Sequence, residues 1–353
     1  MAVKITGFGC YIPEIVRTNE DFLNHKFYTE TGKDFDDNPQ VIIKKFEQIT
    51  GIKERRYVSD DLNVSDIALI AAQKAINDAK IDPETLDYII VAHNFGDVKH
   101  GTTQTDILPS IGSRVKRFLK IKNHRTVAYD IIFGCPGWSQ GSIQAKAFIE
   151  SGLAKRCLVI GAETLSRVVD PHDRDSMIYS DGAGATIYEK SDDDSGILSH
   201  ESATFTEKES HYIYFGETNN KSNVSDRTGY IKMYGRKIYN FALSNVPKAM
   251  KSCFDQSGKD IKQLKKIFIH QANEKMDEAI VQRFYKLYGL EMPDKIMPMS
   301  IDKLGNSSVA TIPTLYDLFL KGHFKNQTLE KGDIIMFASV GAGMNINALT
   351  YQI

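Results

Sequence analysis

The chain has 353 residues, enough for one large domain or two ordinary ones with a substantial core. A formal net charge of −1 gives no global reason to expect nucleic-acid binding, and 42% hydrophobic with 25% charged residues is the balance of a soluble globular protein. No apolar run reaches transmembrane length, so no membrane span is expected, and residues Met1 to Gly9 read as a strand and turn rather than a signal peptide. Cys10, Cys135, Cys157 and Cys253 are too widely spaced for a zinc site, which predicts no metal and a reducing, cytoplasmic setting.

In chain order, Val64 to Lys80 is an alanine-rich helix, Leu86 to His93 an apolar strand and Asp106 to Leu119 a helix. Val127 to Phe133 is a strand, Pro136 to Ser151 a helix and Cys157 to Gly161 a strand. This alternation predicts βαβ units in a layered α/β fold. A polar turn at Asp192 to Ser195 precedes the irregular stretch Glu201 to Arg227, and the boundary between two halves, 1–195 and 196–353, is placed at that turn. The second half echoes the first. Ile81 to His93 is echoed by Ile261 to His270, each following a helix and entering a strand that ends near a histidine. Gly134-Cys135, a helix and Gly152 span 18 positions; Gly305-Asn306, a helix and Gly322 span 17. A repeat at this distance (about 170 residues) indicates a duplicated domain rather than a short-repeat solenoid, with Cys135 and Asn306 at equivalent corners.

Cys135 stands out chemically. In Tyr129-Asp130-Ile131-Ile132-Phe133-Gly134-Cys135-Pro136-Gly137-Trp138 an apolar strand meets a glycine, the cysteine and a proline suited to a first helical turn. A thiol at such a corner faces unpaired N–H groups and the positive end of the helix dipole, which favours a thiolate nucleophile. Cys10, Cys157 and Cys253 lie in strand or helix patterns and read as core residues. His270 alone is a strand-end histidine and Asn306 alone a helix cap; their surroundings, His270-Gln271-Ala272-Asn273 and Gly305-Asn306-Ser307-Ser308-Val309-Ala310, raise both to site candidates. Gly182 and Gly184 read as close-packing positions rather than a phosphate loop.

With Gly51-Ile52-Lys53-Glu54-Arg55-Arg56, Tyr179-Ser180-Asp181-Gly182-Ala183-Gly184-Ala185 and Gly341-Ala342-Gly343, these motifs give the chain a resemblance over nearly its whole length to the thiolase-like condensing enzymes, most closely to the β-ketoacyl-acyl-carrier-protein synthase III family. The resemblance implies a five-layered αβαβα fold of two similar halves, usually a homodimer, and a decarboxylating Claisen condensation. It implies Cys135 as acyl-bearing nucleophile and His270 and Asn306 as hydrogen-bond donors to the malonyl thioester oxygen. The backbone N–H groups of Cys135 and Ala342 would form the oxyanion hole. No cofactor is implied: the substrates are thioesters of coenzyme A or of an acyl-carrier protein, the latter also the docking partner.

The departures concern substrate. Neither the tryptophan nor the arginine that usually grips coenzyme A stands before Gly51, and a segment within Phe27 to Val41 looks inserted. Arg174 matches a coenzyme A contact, whereas Lys275 replaces an arginine and loses its planar fork. The resemblance places Leu108 where a phenylalanine reaches across the dimer in the short-chain enzyme, and Val340 where one often lies beside the glycine loop; smaller side chains at both predict a starter longer or bulkier than acetyl. Lys275 and Arg283 are the candidates for docking an acidic carrier protein. An acyltransferase of the same fold, passing the acyl group to oxygen or nitrogen, is the alternative. A cysteine hydrolase needs the histidine as an oriented base, and thiolase proper carries a second cysteine where Ser339 and Val340 stand here.

Overall fold

The computed structural model describes residues 2–35, 37–222 and 228–353. In the first half, β1 (Val3–Tyr11), β2 (Tyr88–Ala92), β3 (Val127–Ile131), β4 (Arg156–Thr164) and β5 (Asp181–Lys190) make one sheet in the order β1-β5-β4-β2-β3. In the second, β6 (Gly196–Thr204) is followed by a two-stranded ladder of β7 (Ile213–Gly216) and β8 (Tyr230–Met233). With β9 (Leu264–Ile269), β10 (Ile334–Gly341) and β11 (Asn345–Gln352), β6 forms the second sheet, ordered β6-β11-β10-β9. The strand senses repeat as well as the order. β1 with β5 and β4 with β5 are antiparallel and β2 with β4 parallel, as are β6 with β11, β10 with β11 and β9 with β10 respectively. The first sheet adds β3 as an edge strand, parallel to β2.

The helices are α1 (Pro39–Thr50), α2 (Val64–Ala79), α3 (Ile111–Phe118), α4 (Gly137–Glu150), α5 (Gly235–Gln256), α6 (Glu274–Lys286) and α7 (Thr311–Leu320). Helix α4 touches β2 and β4 on one side and β10 and β11 on the other; α7 touches β1 and β5 on one side and β9 on the other. A helix held between two sheets must be apolar nearly all round. Thr311 to Asp317 are all buried in α7, and Trp138, Ala145 and Ile149 are buried in α4. Helix α2 covers the outer face of the first sheet with α3 beside it, and α5 covers the second sheet with α6 beside it. The five layers are therefore αβαβα. The alanine-rich stripe Ala68, Ala71, Ala72 and Ala75 gives α2 its inward face.

Aromatic rings fill the middle layer. The Phe268 ring lies 5.0 Å from Tyr316 and 5.2 Å from Phe319, both edge-on, and Phe337 meets Trp138 at 5.5 Å. Such edge-to-face pairs add to the hydrophobic gain of burial.

Two sequence expectations need correction. The helix expected from Asp106 starts at Ile111, because the preceding Pro109 and Ser110 end the extended chain and the Ser110 hydroxyl caps the helix by accepting from Ser113 N–H at 3.2 Å. Asp106 itself lies in a two-residue strand. The stretch read as irregular from Glu201 to Arg227 contains the end of β6 and all of β7, whose Ile213-Tyr214-Phe215 run has strand character; residues 223–227 lie outside those described.

Replacing Phe337 by alanine removes a ring shared by both sheets' packing. The expected loss is about 3–5 kcal/mol, read as a lower denaturant midpoint at unchanged m value. A loss below about 1 kcal/mol would contradict this account of the middle layer.

Candidate active site

The site forms where the two equivalent corners meet. Cys135 sits between β3 and α4, and the backbone turns there through Gly134 at φ +64, with Gly137 N–H donating to Gly134 C=O at 3.0 Å. His270 continues β9, its N–H donating to Ala338 C=O at 2.8 Å. Its neighbour Gln271 is fully buried, donates to Pro298 C=O at 2.8 Å and accepts from Ser300 N–H at 2.9 Å, which fixes the loop carrying His270. Asn306 lies before α7, tied by its backbone N–H to Ile178 C=O at 3.0 Å and by its C=O to Ser180 N–H at 2.8 Å. The Tyr179–Ala185 motif thus holds Asn306 in place, and Gly184 lets Pro313 of α7 pack closely, as the sequence suggested: a Cβ there would sit 2.7 Å from the proline ring.

Cys135, His270 and Asn306 all line one cavity of about 280 Å³. The Asn306 side-chain oxygen accepts from Ser308 N–H at 2.8 Å, so capping occupies that oxygen and leaves Nδ2 as the donor. Burial holds the His270 pKa down at about 4, so the ring is neutral at pH 7, and its Nδ1 is buried without a hydrogen-bond partner. A neutral imidazole with its proton on Nε2 is a donor, not a cation. Gly341 and Gly134 bring two backbone amides together. A Cβ on Gly341 would overlap the Cys135 nitrogen, and one on Gly134 would lie 2.6 Å from the Ala342 nitrogen. The two N–H groups named from the sequence are therefore neighbours across one close contact.

The Cys135 thiol departs from expectation. Burial pushes it up to about 11; the Ser308 hydroxyl, donating to Sγ at 3.3 Å, and the Cys135 backbone N–H pull it down, while the Glu163 charge pushes it further up. Desolvation outweighs the hydrogen bonds to the sulfur, so burial favours the thiol over the thiolate expected at this corner. The other three cysteines are free and buried, as expected of core residues; burial pushes Cys10 and Cys157 up to about 12.

The substrate-binding expectations divide. Val340 lines the cavity, with Phe95, Leu165, Phe215, Ile231 and Met233 making its walls strongly apolar. Leu108 does not: it is 86% exposed, away from the cavity of its own chain. Arg174 also lies outside the cavity, with its guanidinium 5.1 Å from the Phe35 ring and its Nε 3.5 Å from Asp175. Phe35 belongs to the segment read as inserted, whose Asp36 lies outside the described residues. Lys275 is exposed in the first turn of α6. Arg283, in its last turns, donates to Leu243 C=O at 3.0 Å and so braces α6 against α5.

Sequence reasoning missed Ser308, Asn94 and Glu163. Ser308 lay unremarked inside a quoted motif; a carboxylate at the end of the apolar run Cys157 to Ala162 was the available signal for Glu163. Among the described residues there is no cluster of three metal-ligating side chains and no helix long and apolar enough to cross a membrane.

Residues 129–204 match the family model of 3-oxoacyl-[acyl-carrier-protein] synthase III, and residues 254–353 match its C-terminal model. A β-ketoacyl-[acyl-carrier-protein] synthase III of Bacillus pumilus is 32% identical over all of this chain and 99% of its own length; that of Aquifex aeolicus is 31% identical over 99% of both. The crystal structure of the Aquifex aeolicus synthase superposes with a TM-score of 0.81 at 29% identity, covering 99% of this chain and 100% of that one. The priming β-ketosynthase of the R1128 polyketide pathway shares the fold at a TM-score of 0.81 and 21% identity. From its corner cysteine to its duplicated sheets, this chain belongs to the β-ketoacyl-acyl-carrier-protein synthase III family.

Proposed function

We propose that the protein is a condensing enzyme that loads an acyl group on Cys135 and joins it to malonyl-acyl-carrier-protein with loss of CO₂. The observation that carries this reading is the convergence of Cys135, His270 and Asn306 on one apolar cavity. In the first step the Cys135 sulfur attacks an acyl thioester; a new S–C bond forms, the donor's S–C bond breaks, and the thiol proton ends on the departing thiol. In the second, the malonyl C–CO₂ bond breaks and its electron pair becomes an enolate, whose oxygen accepts from His270 and Asn306 Nδ2. The enolate carbon attacks the acyl carbonyl, the Cys135 and Ala342 N–H groups hold the oxyanion, and Cys135 leaves as a thiolate that takes a proton from water. Preorganised donors of this kind are worth about 3–4 kcal/mol each in the transition state. Two neutral donors suit decarboxylation, whereas a hydrolase would need His270 as a base with an orienting partner.

No cofactor has a step in this scheme. The acyl starter is longer or bulkier than acetyl: Val340 contributes a small wall residue to an apolar cavity of about 280 Å³. Whether coenzyme A or a carrier delivers the starter bears on Arg174, which faces Phe35 rather than the cavity. The exposed Lys275 and Arg283 are the docking candidates for the carrier; an unchanged KM for malonyl-carrier after reversing both charges would remove them. Self-association through the edge strand β3 would cover the exposed Val127, Ile132 and Leu108, and a monomer in sedimentation would contradict it. Four free cysteines fit a cytoplasmic location, which a disulfide in protein isolated from cells would contradict.

With an acyl donor and malonyl-carrier, the wild-type protein is expected to release CO₂ and form a β-ketoacyl-carrier, detected by mass. His270→Ala and Asn306→Ala should each cut condensation at least about a hundredfold while leaving acylation of Cys135 nearly intact. Free acid as the sole product would contradict the reading. Val340→Phe should shift acylation toward shorter donors; wild-type preference for acetyl over every medium-chain or branched donor would discard the longer starter.

A further inference from the structure

The nucleophile is attached to a chain of hydrogen bonds that the condensation scheme does not use. Ser308 Oγ donates to Cys135 Sγ at 3.3 Å. Asn94 Nδ2 donates to that same Ser308 oxygen at 3.1 Å and, with its other hydrogen, to Glu163 Oε1. The Asn94 backbone N–H donates to Glu163 Oε1 as well, at 2.8 Å. Glu163 is fully buried at the end of β4, and its second oxygen, Oε2, has no partner. Ser308 is held in the left-handed region at φ +52, uncommon for a residue with a side chain, with its N–H bound to Asn306.

The direction of these bonds is what matters. An asparagine side chain can present either its oxygen or its nitrogen to a neighbour, and a hydroxyl has one hydrogen to give. Glu163 accepts from Asn94, so the amide nitrogen, not the oxygen, faces both Glu163 and Ser308. Because Ser308 accepts from Asn94, its single hydrogen is left to point at the sulfur. We propose that Glu163 and Asn94 are positioning residues that lock the Ser308 hydroxyl as a donor to Cys135, and thereby set the reactivity of the nucleophile. Neither needs to touch substrate for this, although Asn94 reaches the cavity wall. A hydrogen bond to sulfur favours the thiolate, so the network opposes the desolvation that keeps the thiol protonated. This deepens the reading of Cys135 as the acyl-bearing residue and rests on it.

The test is the pH dependence of Cys135 alkylation by iodoacetamide, followed by intact-protein and peptide mass, with thermal unfolding to show that each variant is folded. Around the sulfur the titratable groups are Glu163, Tyr179 and His270, and Asp181 faces Glu163. Asn94→Ala and Ser308→Ala should each move the alkylation curve to higher pH and slow the reaction at pH 8 by about tenfold. The double variant should be no slower than either single one, because both changes break one path. Asn94→Asp, similar in size but without the donors, should be slow too. Glu163→Gln, which keeps a carbonyl acceptor and removes the charge that disfavours the thiolate, should react at least as fast as the wild type, and Glu163→Ala, equally neutral but without the acceptor, should be slower than Glu163→Gln. With Asn94→Asp these decide the matter if Asn94→Ala does not fold. An unchanged curve in the folded variants, or single effects that multiply in the double variant, would overturn the network while leaving Cys135 as nucleophile. If wild-type Cys135 reacts no faster than the buried cysteines, both readings fall together.

Discussion

Gly134, Cys135 and Gly341 meet where side chains cannot fit, and that contact sets how closely the two halves stand. A Cβ on Gly341 would overlap the Cys135 nitrogen, and one on Gly134 would press on Ala342. The strand end β10 of the second half therefore passes the start of α4 in the first with no room for a side chain on Gly341. Everything else at the site follows from this approach. It places two amide N–H groups side by side, aims the sulfur into the shared cavity, and brings the loops after β9 and before α7 within its walls. The aromatic middle layer supplies the rigidity, since α4 and α7 cannot tilt without disturbing rings packed on both sheets.

Dryness has opposite consequences for the groups around the cavity. Burial keeps His270 neutral, which suits a hydrogen-bond donor, and holds the Cys135 thiol protonated, which does not suit a nucleophile. The Ser308 hydroxyl and the Cys135 backbone N–H act against that second effect. Glu163 adds a further balance, because burial pushes its carboxyl up to about 8, and its charge, when present, disfavours the thiolate. An apolar cavity is nevertheless what an acyl chain needs, and it strengthens each donor aimed at developing charge.

The duplicated architecture was legible because glycine, a strand and a helix recur at matching positions, and strand order and sense repeat between the sheets. Cys135, His270 and Asn306 could be singled out because each stands at a corner with its own punctuation, and the fold brings all three to one cavity. Helix α3 began later than expected because a proline and a serine cap act over single residues and interrupt an otherwise periodic pattern. The ladder of β7 and β8 was missed because its two strands lie far apart in sequence, joined across residues outside those described. Asn94 and Glu163 escaped notice for a different reason: their importance lies in the direction of hydrogen bonds across three separate segments. Leu108 is exposed on its own chain, and the position expected of it, reaching across a dimer, involves a second copy rather than the cavity described above.

Intact-protein mass spectrometry of acyl transfer tests the central claim most directly. The protein, with Cys135→Ala as control, would be mixed with acetyl, branched, medium-chain and long-chain thioesters of coenzyme A and of a carrier protein. The account predicts a mass gain of one acyl group on Cys135, absent from the control and lost again when malonyl-carrier is added. An acyl group that settles on another residue, or folded wild-type protein that accepts none of these donors, would contradict it.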